Sequence, residues 1–260
     1  MKLILGSLFA LFLALSIGSQ PVHALQLQAS LANEDYPPFY YYDDINRQFT
    51  GVSIEICREV VASLGHTLSF KRSPFIRLLH ELREGKSDIA CTLFNTSERS
   101  PGIVFTQVPH IFETISVFSR LETAVTTPRP LNSDYLKQHK VGGVRGYFYG
   151  EALQDQNDFT KRQVNTESQL VKILLAGRID YALGNRASIT HHARTLGVES
   201  QIRFFDQAVY SGPIYIGVSQ TRADAQQLVA DLTQAVAEFR KTDQYQTILQ
   251  RYNIEVTDFY

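Results

Sequence analysis

The chain has 260 residues, with 25 Lys and Arg against 26 Asp and Glu, a formal charge of −1 and only two cysteines. That balance, with no basic stripe and no aromatic–basic interleaving, argues against a nucleic-acid partner. The length exceeds the usual single-domain size and predicts one large or two modest domains.

Residues 1–24, "MKLILGSLFALFLALSIGSQPVHA", have a short basic start and an apolar run too short and too broken by Ser and Gly for a comfortable membrane span. They end on the small-residue site Val22-His23-Ala24. This is the pattern of a secretory signal peptide cut after Ala24. No cysteine follows the cut to carry a lipid, and no second apolar run of spanning length occurs. A soluble exported protein is expected, in the periplasm of a double-membraned bacterium.

Helix and strand signals then alternate. Ile56, Cys57, Val60, Val61 and Leu64 share one helical face, Gly65 ends that helix, and "HTLSF" (66–70) reads as a strand. Phe75, Ile76, Leu78, Leu79 and Leu82 form the next stripe, closed by Gly85, and "SDIACTLF" (87–94) is the following strand. This βαβαβ order predicts a mainly parallel sheet with helices on both faces. Cys57 and Cys91 fit a disulfide in an oxidising compartment as well as they fit two buried thiols, and their spacing matches no metal motif.

In "FNTSERSP" (94–101), Asn95 and Glu98 make a capping box for a short helix. That puts Arg99 in the first turn, where the helix dipole disfavours a cation. Arg99 is then either a solvent-facing turn residue or a socket for a carboxylate, its guanidinium acting beside backbone N–H donors.

The second half repeats the first. "LHELREGKSDIA" (79–90) and "VKILLAGRIDYA" (171–182) share apolar-x-x-Leu-x-x-Gly-x-x-Asp-x-Ala, a helix end, a glycine just past it and a buried strand entered through an aspartate. Two copies predict a pair of similar α/β lobes rather than a solenoid. The runs "TISVFSR" (114–120) and "IYIGVSQ" (214–220) bracket the second copy; lying side by side, they would carry the middle lobe as an insertion. Ligands of open parallel sheets sit outside the carboxyl ends of the strands. Those ends carry Thr92, Asn95, Thr96 and Arg99 in the first copy and Asn185 and Arg186 in the second, so a polar cleft between lobes is predicted. His191 and His192, adjacent on a helix, diverge by about 100° and cannot chelate as an i, i+4 pair; both read as surface residues. A stripe through Leu228, Val229, Leu232, Ala235, Val236 and Phe239, continued by Tyr245, Ile248, Leu249 and Tyr252, needs a large surface to dock on.

Five stretches in this order resemble the bacterial extracellular solute-binding proteins of family three, which serve polar amino-acid uptake. They are "EDYPPFYYYDDINRQFTGVSIEICREVVASLG", "LREGKSDIACTLFNTSER", "VGGVRGYFYGEAL", "LLAGRIDYALGN" and "EFRKTDQYQTILQRY". The resemblance implies a two-lobed α/β clamp of the type II periplasmic-binding-protein kind. Lobe 1 would comprise residues 25–119 and 213–260 and lobe 2 residues 120–212, with crossings near 119–121 and 211–213. It implies that Arg99 grips a ligand carboxylate with Thr92 beside it, and that Tyr36, Phe39 and Phe75 sandwich the ligand, although Phe39 alone reads better as core. Gly146 to Tyr149 match the turn whose backbone donors meet the carboxylate from the other lobe. Tyr149 serves equally as a surface aromatic.

Two departures stand out. Where the family offers an aspartate to the ligand's ammonium group, this chain has Asn185, an amide without charge. Where small residues follow the turn glycine, it has Tyr147 and Phe148. The pocket is expected to be more aromatic and less anionic than usual, with Glu34 either supplying the missing charge or solvated in its loop, and Arg77 on the surface. The resemblance implies a monomeric, cofactor-free binding protein that hands a small amino-acid-like carboxylate to an inner-membrane ABC-type permease. Two other classes stay open: an enzyme resembling the periplasmic cyclohexadienyl dehydratases, with Glu34 or Glu167 as the acid, and a ligand-sensing domain. No Gly-x-Ser-x-Gly elbow, P-loop or Cys-x-x-Cys points to other chemistry.

Overall fold

The computed structural model describes residues 24–126, 131, 133–154 and 162–254. The expected leader, apart from Ala24, lies outside the described residues. In chain order the elements are β1 (Gln26–Ala32), β2 (Tyr41–Asp43), β3 (Gln48–Thr50), α1 (Val52–Ser63), β4 (Thr67–Ser73), α2 (Phe75–Arg83), β5 (Ile89–Phe94), β6 (Ile103–Phe105) and β7 (Ile111–Arg120). Next come α3 (Leu121–Thr126), α4 (Ser133–Lys137), β8 (Val141–Val144), α5 (Glu151–Gln154), β9 (Arg162–Val164), α6 (Glu167–Leu175), β10 (Tyr181–Gly184) and α7 (Arg186–Thr195). The chain finishes with β11 (Ile202–Ser219), α8 (Ala225–Phe239) and α9 (Asp243–Arg251). No helix among the described residues is long and apolar enough to cross a membrane.

The main sheet runs β4-β1-β5-β11-β7-β10-β8-β9, with β6 also on β11. It is parallel at both flanks, where β1 pairs with β4 and β5 and β8 pairs with β9 and β10. Its centre is antiparallel, contrary to the mainly parallel sheet expected. There β7 and β11 run side by side from Ile202↔Arg120 to Ile214↔Ile111, and each also pairs antiparallel with a flank. The returning strand is therefore much longer than the 214–220 run suggested; Asp206, Gln207 and Pro213 hid its first half from an alternation count.

The internal repeat has a physical cause. Gly85 and Gly177 sit past α2 and α6 at φ 71° and 68°, turning the chain as only glycine does at low cost. The aspartate that follows then pairs twice with the neighbouring strand. Asp88 N donates to Gln28 O at 2.9 Å while its Oδ2 accepts from Gln28 N at 2.7 Å. Asp180 N donates to Lys140 O at 2.7 Å while its Oδ2 accepts from Lys140 N at 3.0 Å. The same helix-to-strand joint is built once in each lobe.

The cores divide accordingly. Leu27, Val60, Ile89, Ile111, Ile214, Leu232 and Leu249 belong to one cluster of the terminal lobe, and Leu78, Leu82 and Leu93 to the cluster on its opposite face. Ile115, Val117, Tyr181 and Phe205 form one cluster of the middle lobe, and Phe118, Leu170, Ala182 and Ile189 its other. Core membership changes between Ile111 and Ile115 on β7 and between Phe205 and Ile214 on β11. The amphipathic tail breaks at Thr242, whose hydroxyl caps α9, and both helices dock on the terminal core.

Cys57 on α1 and Cys91 on β5 form a disulfide, their Cα atoms 6.2 Å apart. It closes a 34-residue separation, and such a link restricts the unfolded chain by about 3–4 kcal/mol.

Candidate functional site

Two sets of parallel strands, β1, β4 and β5 from one lobe and β8 and β10 from the other, bring their carboxyl ends to the junction of the lobes. β1 leads to Tyr36, β4 to Phe75, β5 to Arg99, β8 to Tyr147 and Phe148, and β10 to Asn185. Six of the ten residues singled out from sequence converge there: Tyr36, Phe75, Thr92, Arg99, Tyr147 and Phe148, joined by Tyr40, Phe94, Glu113, Ile115 and Ile214, enclose a cavity of about 30 Å³.

Arg99 is not a solvent-facing cation. The 95–100 segment is a turn rather than a capped helix: Thr96 O accepts from Arg99 N and Ser100 N, each at 3.0 Å. The expected capping box does not form, because Asn95 Oδ1 accepts from the Ser100 hydroxyl instead of a helical N–H. The arginine is 5% exposed. Its Nη1 donates to Phe94 O and its Nη2 crosses to Gly146 O in the middle lobe, both at 3.0 Å. The guanidinium lies 5.4 Å from the centre of the Phe75 ring. Burial lowers its pKa to about 10, while the charge of Glu113 acts in the opposite sense.

Glu113, which the sequence reading missed, supplies the acid. It projects from β7, is 4% exposed and accepts a hydrogen bond from the Tyr36 hydroxyl. Burial raises its carboxyl to about 7, against the Tyr36 hydrogen bond and the Arg99 charge, which both lower it. A signal was present. On β7 the buried face reads Ile111, Glu113, Ile115, Val117, an acid in the place of an aliphatic residue. Near these charges the Thr92 hydroxyl is buried with no hydrogen-bond partner among the described residues. A site with a buried cation, a buried acid and an unpaired hydroxyl can bind a zwitterion or, with a proton shared at Glu113, act as an acid–base pair.

The remaining four residues lie elsewhere. Phe39 stacks behind Tyr36, ring centroids 5.5 Å apart, in the terminal core. Tyr149 is neither a surface residue nor a cavity wall: it is buried in the middle-lobe core, and its hydroxyl accepts from Val144 N at 2.6 Å. Asn185 caps α7, accepting from Ala187 N and Ser188 N, and donates from Nδ2 to Thr114 O at 3.3 Å. Its amide is occupied by the fold, and it lines a separate, wider groove with Thr114 and Arg186. Glu34 lies outside the cavity, its side chain partly exposed. Its Oε2 accepts from Glu167 N at 2.7 Å and Ser168 N at 3.3 Å, a carboxylate from one lobe on the positive end of a helix from the other.

His192 also departs from the surface reading; it is 6% exposed. Its Nε2 donates to Asp35 O at 2.9 Å, so a neutral ring leaves Nδ1 to accept from the Ser168 hydroxyl at 3.2 Å. Burial holds its pKa below the ordinary value, opposed by Glu34. Glu167, on the apolar face of α6, accepts from the Ser188 hydroxyl. Burial pushes its carboxyl well up, and the charges of Glu113 and Glu34 add to that. Arg77 is a surface residue paired with Glu81. No group of His, Cys, Asp or Glu among the described residues is disposed to hold a metal ion.

The sequence profile of the bacterial extracellular solute-binding proteins, family 3, matches residues 30–255. No curated protein sequence matches the chain. Among solved structures, a histidine kinase sensor domain with similarity to periplasmic binding proteins superposes with a TM-score of 0.73 at 22% identity, over 87% of this chain and 95% of that one. An ancestral arginine-binding protein bound to arginine gives 0.71 at 20%, over 89% and 99%. An ancestral amino-acid-binding protein that is a precursor of cyclohexadienyl dehydratase gives 0.69 at 18%, over 87% and 95%. At these identities the likeness establishes the fold: a two-lobed α/β clamp of the periplasmic-binding-protein kind.

The position of Asn185 has a measurable consequence. Asn185→Ala should lower the unfolding free energy by about 1 kcal/mol through loss of the cap, and Asn185→Asp, an equally good cap, should also lower it, because a carboxylate cannot donate to Thr114 O. Urea unfolding of both variants checks this, and an unchanged midpoint for Asn185→Ala would contradict it.

Proposed function

This chain belongs to the bacterial extracellular solute-binding proteins, family 3, and on that premise we propose that it is a periplasmic binding protein for a small amino-acid-like zwitterion. The ligand enters between a terminal lobe and a middle lobe, expected from the sequence as residues 25–119 with 213–260 and 120–212. The cores move the first boundary back to between Ile111 and Ile115, since Ile115, Val117 and Phe118 pack in the middle lobe. The chain is exported behind a leader ending at Ala24. Arg99 takes the carboxylate, Thr92 adds its hydroxyl and Glu113 takes the ammonium group. An inner-membrane ABC-type permease is the proposed recipient. The Cys57–Cys91 disulfide suits an oxidising compartment.

One observation carries this reading: Arg99 and Glu113 are buried in the same aromatic cavity. Each charge is costly to bury alone, and a zwitterion complements both. Glu113 takes the part that Asn185 was expected to leave empty, so ordinary amino acids need no second-lobe aspartate here.

The pH dependence follows from Glu113. Its carboxyl sits at about 7, and a bound ammonium group lowers it, so binding expels a proton wherever Glu113 was protonated beforehand. Affinity for an ammonium-bearing ligand should be full above about pH 7. Below that it should fall by up to tenfold per pH unit until the lowered value in the complex is passed. Glu113→Gln should flatten this slope. Arg99→Ala should cost on the order of 3–5 kcal/mol, two to four decades of affinity. Calorimetry with alanine and serine across the pH range measures all three, and near-wild-type affinity in Arg99→Ala would falsify the carboxylate socket.

A second reading has one observation in its favour: a buried carboxyl near pH 7 is what acid–base catalysis requires. Glu113, which lines the cavity, would be the acid, rather than Glu34 or Glu167, which do not line it. Incubation with prephenate and arogenate, followed by product absorbance, separates the readings. No turnover is expected, and turnover abolished by Glu113→Gln would establish the enzyme.

A further inference from the structure

We propose that Tyr147 sets the size limit of the site, so that the cleft accepts compact α-amino acids such as glycine, alanine or serine and rejects those with long side chains. The inference rests on the binding function proposed above and narrows its ligand. Tyr147 is carried by the middle lobe, yet its ring stands against two rings of the terminal lobe. It meets Phe75 at 4.8 Å between centroids and 72° between planes, and Tyr36 at 5.8 Å and 85°. The space between Tyr36 and Phe75, where the family resemblance would seat the ligand, is therefore taken by a side chain of the protein. Tyr147 also packs against the main core of the terminal lobe and both cores of the middle lobe.

The backbone behind the ring is held in place. Tyr147 N donates to Val144 O at 3.1 Å. Gly146 precedes it at φ 80°, where a Cβ would stand 2.4 Å from Ile76 Cδ1. Gly146 O in turn accepts from Arg99 Nη2 at 3.0 Å. The turn that presents Tyr147 is thus fastened to the residue proposed to hold the carboxylate. A ligand whose carboxylate reaches Arg99 meets this ring within the same turn.

What remains beside Arg99, Glu113 and Thr92 is about 30 Å³, on the order of two water-sized spheres. A slight parting of the lobes makes room for a side chain of one or two heavy atoms. A long side chain has to drive the ring away from Tyr36 and Phe75 together. Phe148 walls the other side, packed on Phe94 and Tyr210 at 5.5 and 5.2 Å.

The test is calorimetry at about pH 8 on the mature chain, with glycine, alanine, serine and arginine as probes, for wild type, Tyr147→Ala and Tyr147→Phe. The wild type should bind at least one of the three small amino acids at least tenfold more tightly than arginine. Tyr147→Phe, which keeps the ring, should preserve that ratio, and Tyr147→Ala should shrink it by at least tenfold. A wild type that binds arginine as tightly as alanine overturns the size limit while leaving the binding function standing, and so does a folded Tyr147→Ala with an unchanged ratio. A wild type that binds none of the four overturns both, and this arm does not depend on the variants folding.

Discussion

The constraint on which this molecule depends is the burial of two opposite charges, Arg99 and Glu113, in a cleft walled by six aromatic rings. Neither is neutralised by the bonds it makes within the protein: Arg99 donates to two carbonyls and Glu113 accepts from one phenol. Each therefore shifts its proton affinity towards neutrality, the carboxyl up to about 7 and the guanidinium down to about 10. The arrangement is costly unless the protein is built to receive a partner carrying both signs. The rest of the fold brings those two groups into one cavity. The parallel flanks deliver strand ends to one place, and the antiparallel centre, which contributes Glu113, passes between them.

Closure is held by a few polar contacts that cross between lobes. Arg99 bonds to Gly146, Glu34 to the start of α6, and His192 to the carbonyl of Asp35. Tyr147 adds a ring between Tyr36 and Phe75. β7 and β11 run through both lobes, with register shifts in their pairing between Phe204 and Tyr210, an irregular crossing of the kind about which lobes part. A ligand that touches both walls then favours the closed arrangement by its differential affinity alone. One of these contacts, that of Arg99, joins the proposed ligand site directly to the closure.

Much of this was legible in the sequence because it is local. The glycine turns and strand-leading aspartates of the repeat recur with the same spacing, and their paired hydrogen bonds at Asp88 and Asp180 show why. Thr92 lies on β5, and Arg99, Tyr36, Phe75 and Tyr147 come within a few residues of the ends of their strands. The less legible features are those whose partners lie far away in the chain. Glu34 finds the α6 N-terminus 133 residues on, and His192 finds Asp35 across 157. Nothing nearby in sequence claims either, so the sequence leaves Glu34 between the site and solvent and puts His192 on the surface. Asn185 was assigned to the ligand by its position after a strand, yet the same position makes it a helix cap. Glu113 was the one omission with a local signal, an acid on the apolar face of β7.

The most direct measurement is a carbon-13 NMR titration of the Glu113 side-chain carboxyl, assigned by comparison with Glu113→Gln, in the free protein and with saturating alanine. The expected result is a midpoint at about 7 in the free protein, moving to lower pH when the ammonium-bearing ligand is present. A midpoint at the ordinary 4.5, or one that the ligand leaves in place, would mean that Glu113 does not face the ligand. The paired-charge account of the site would then be wrong.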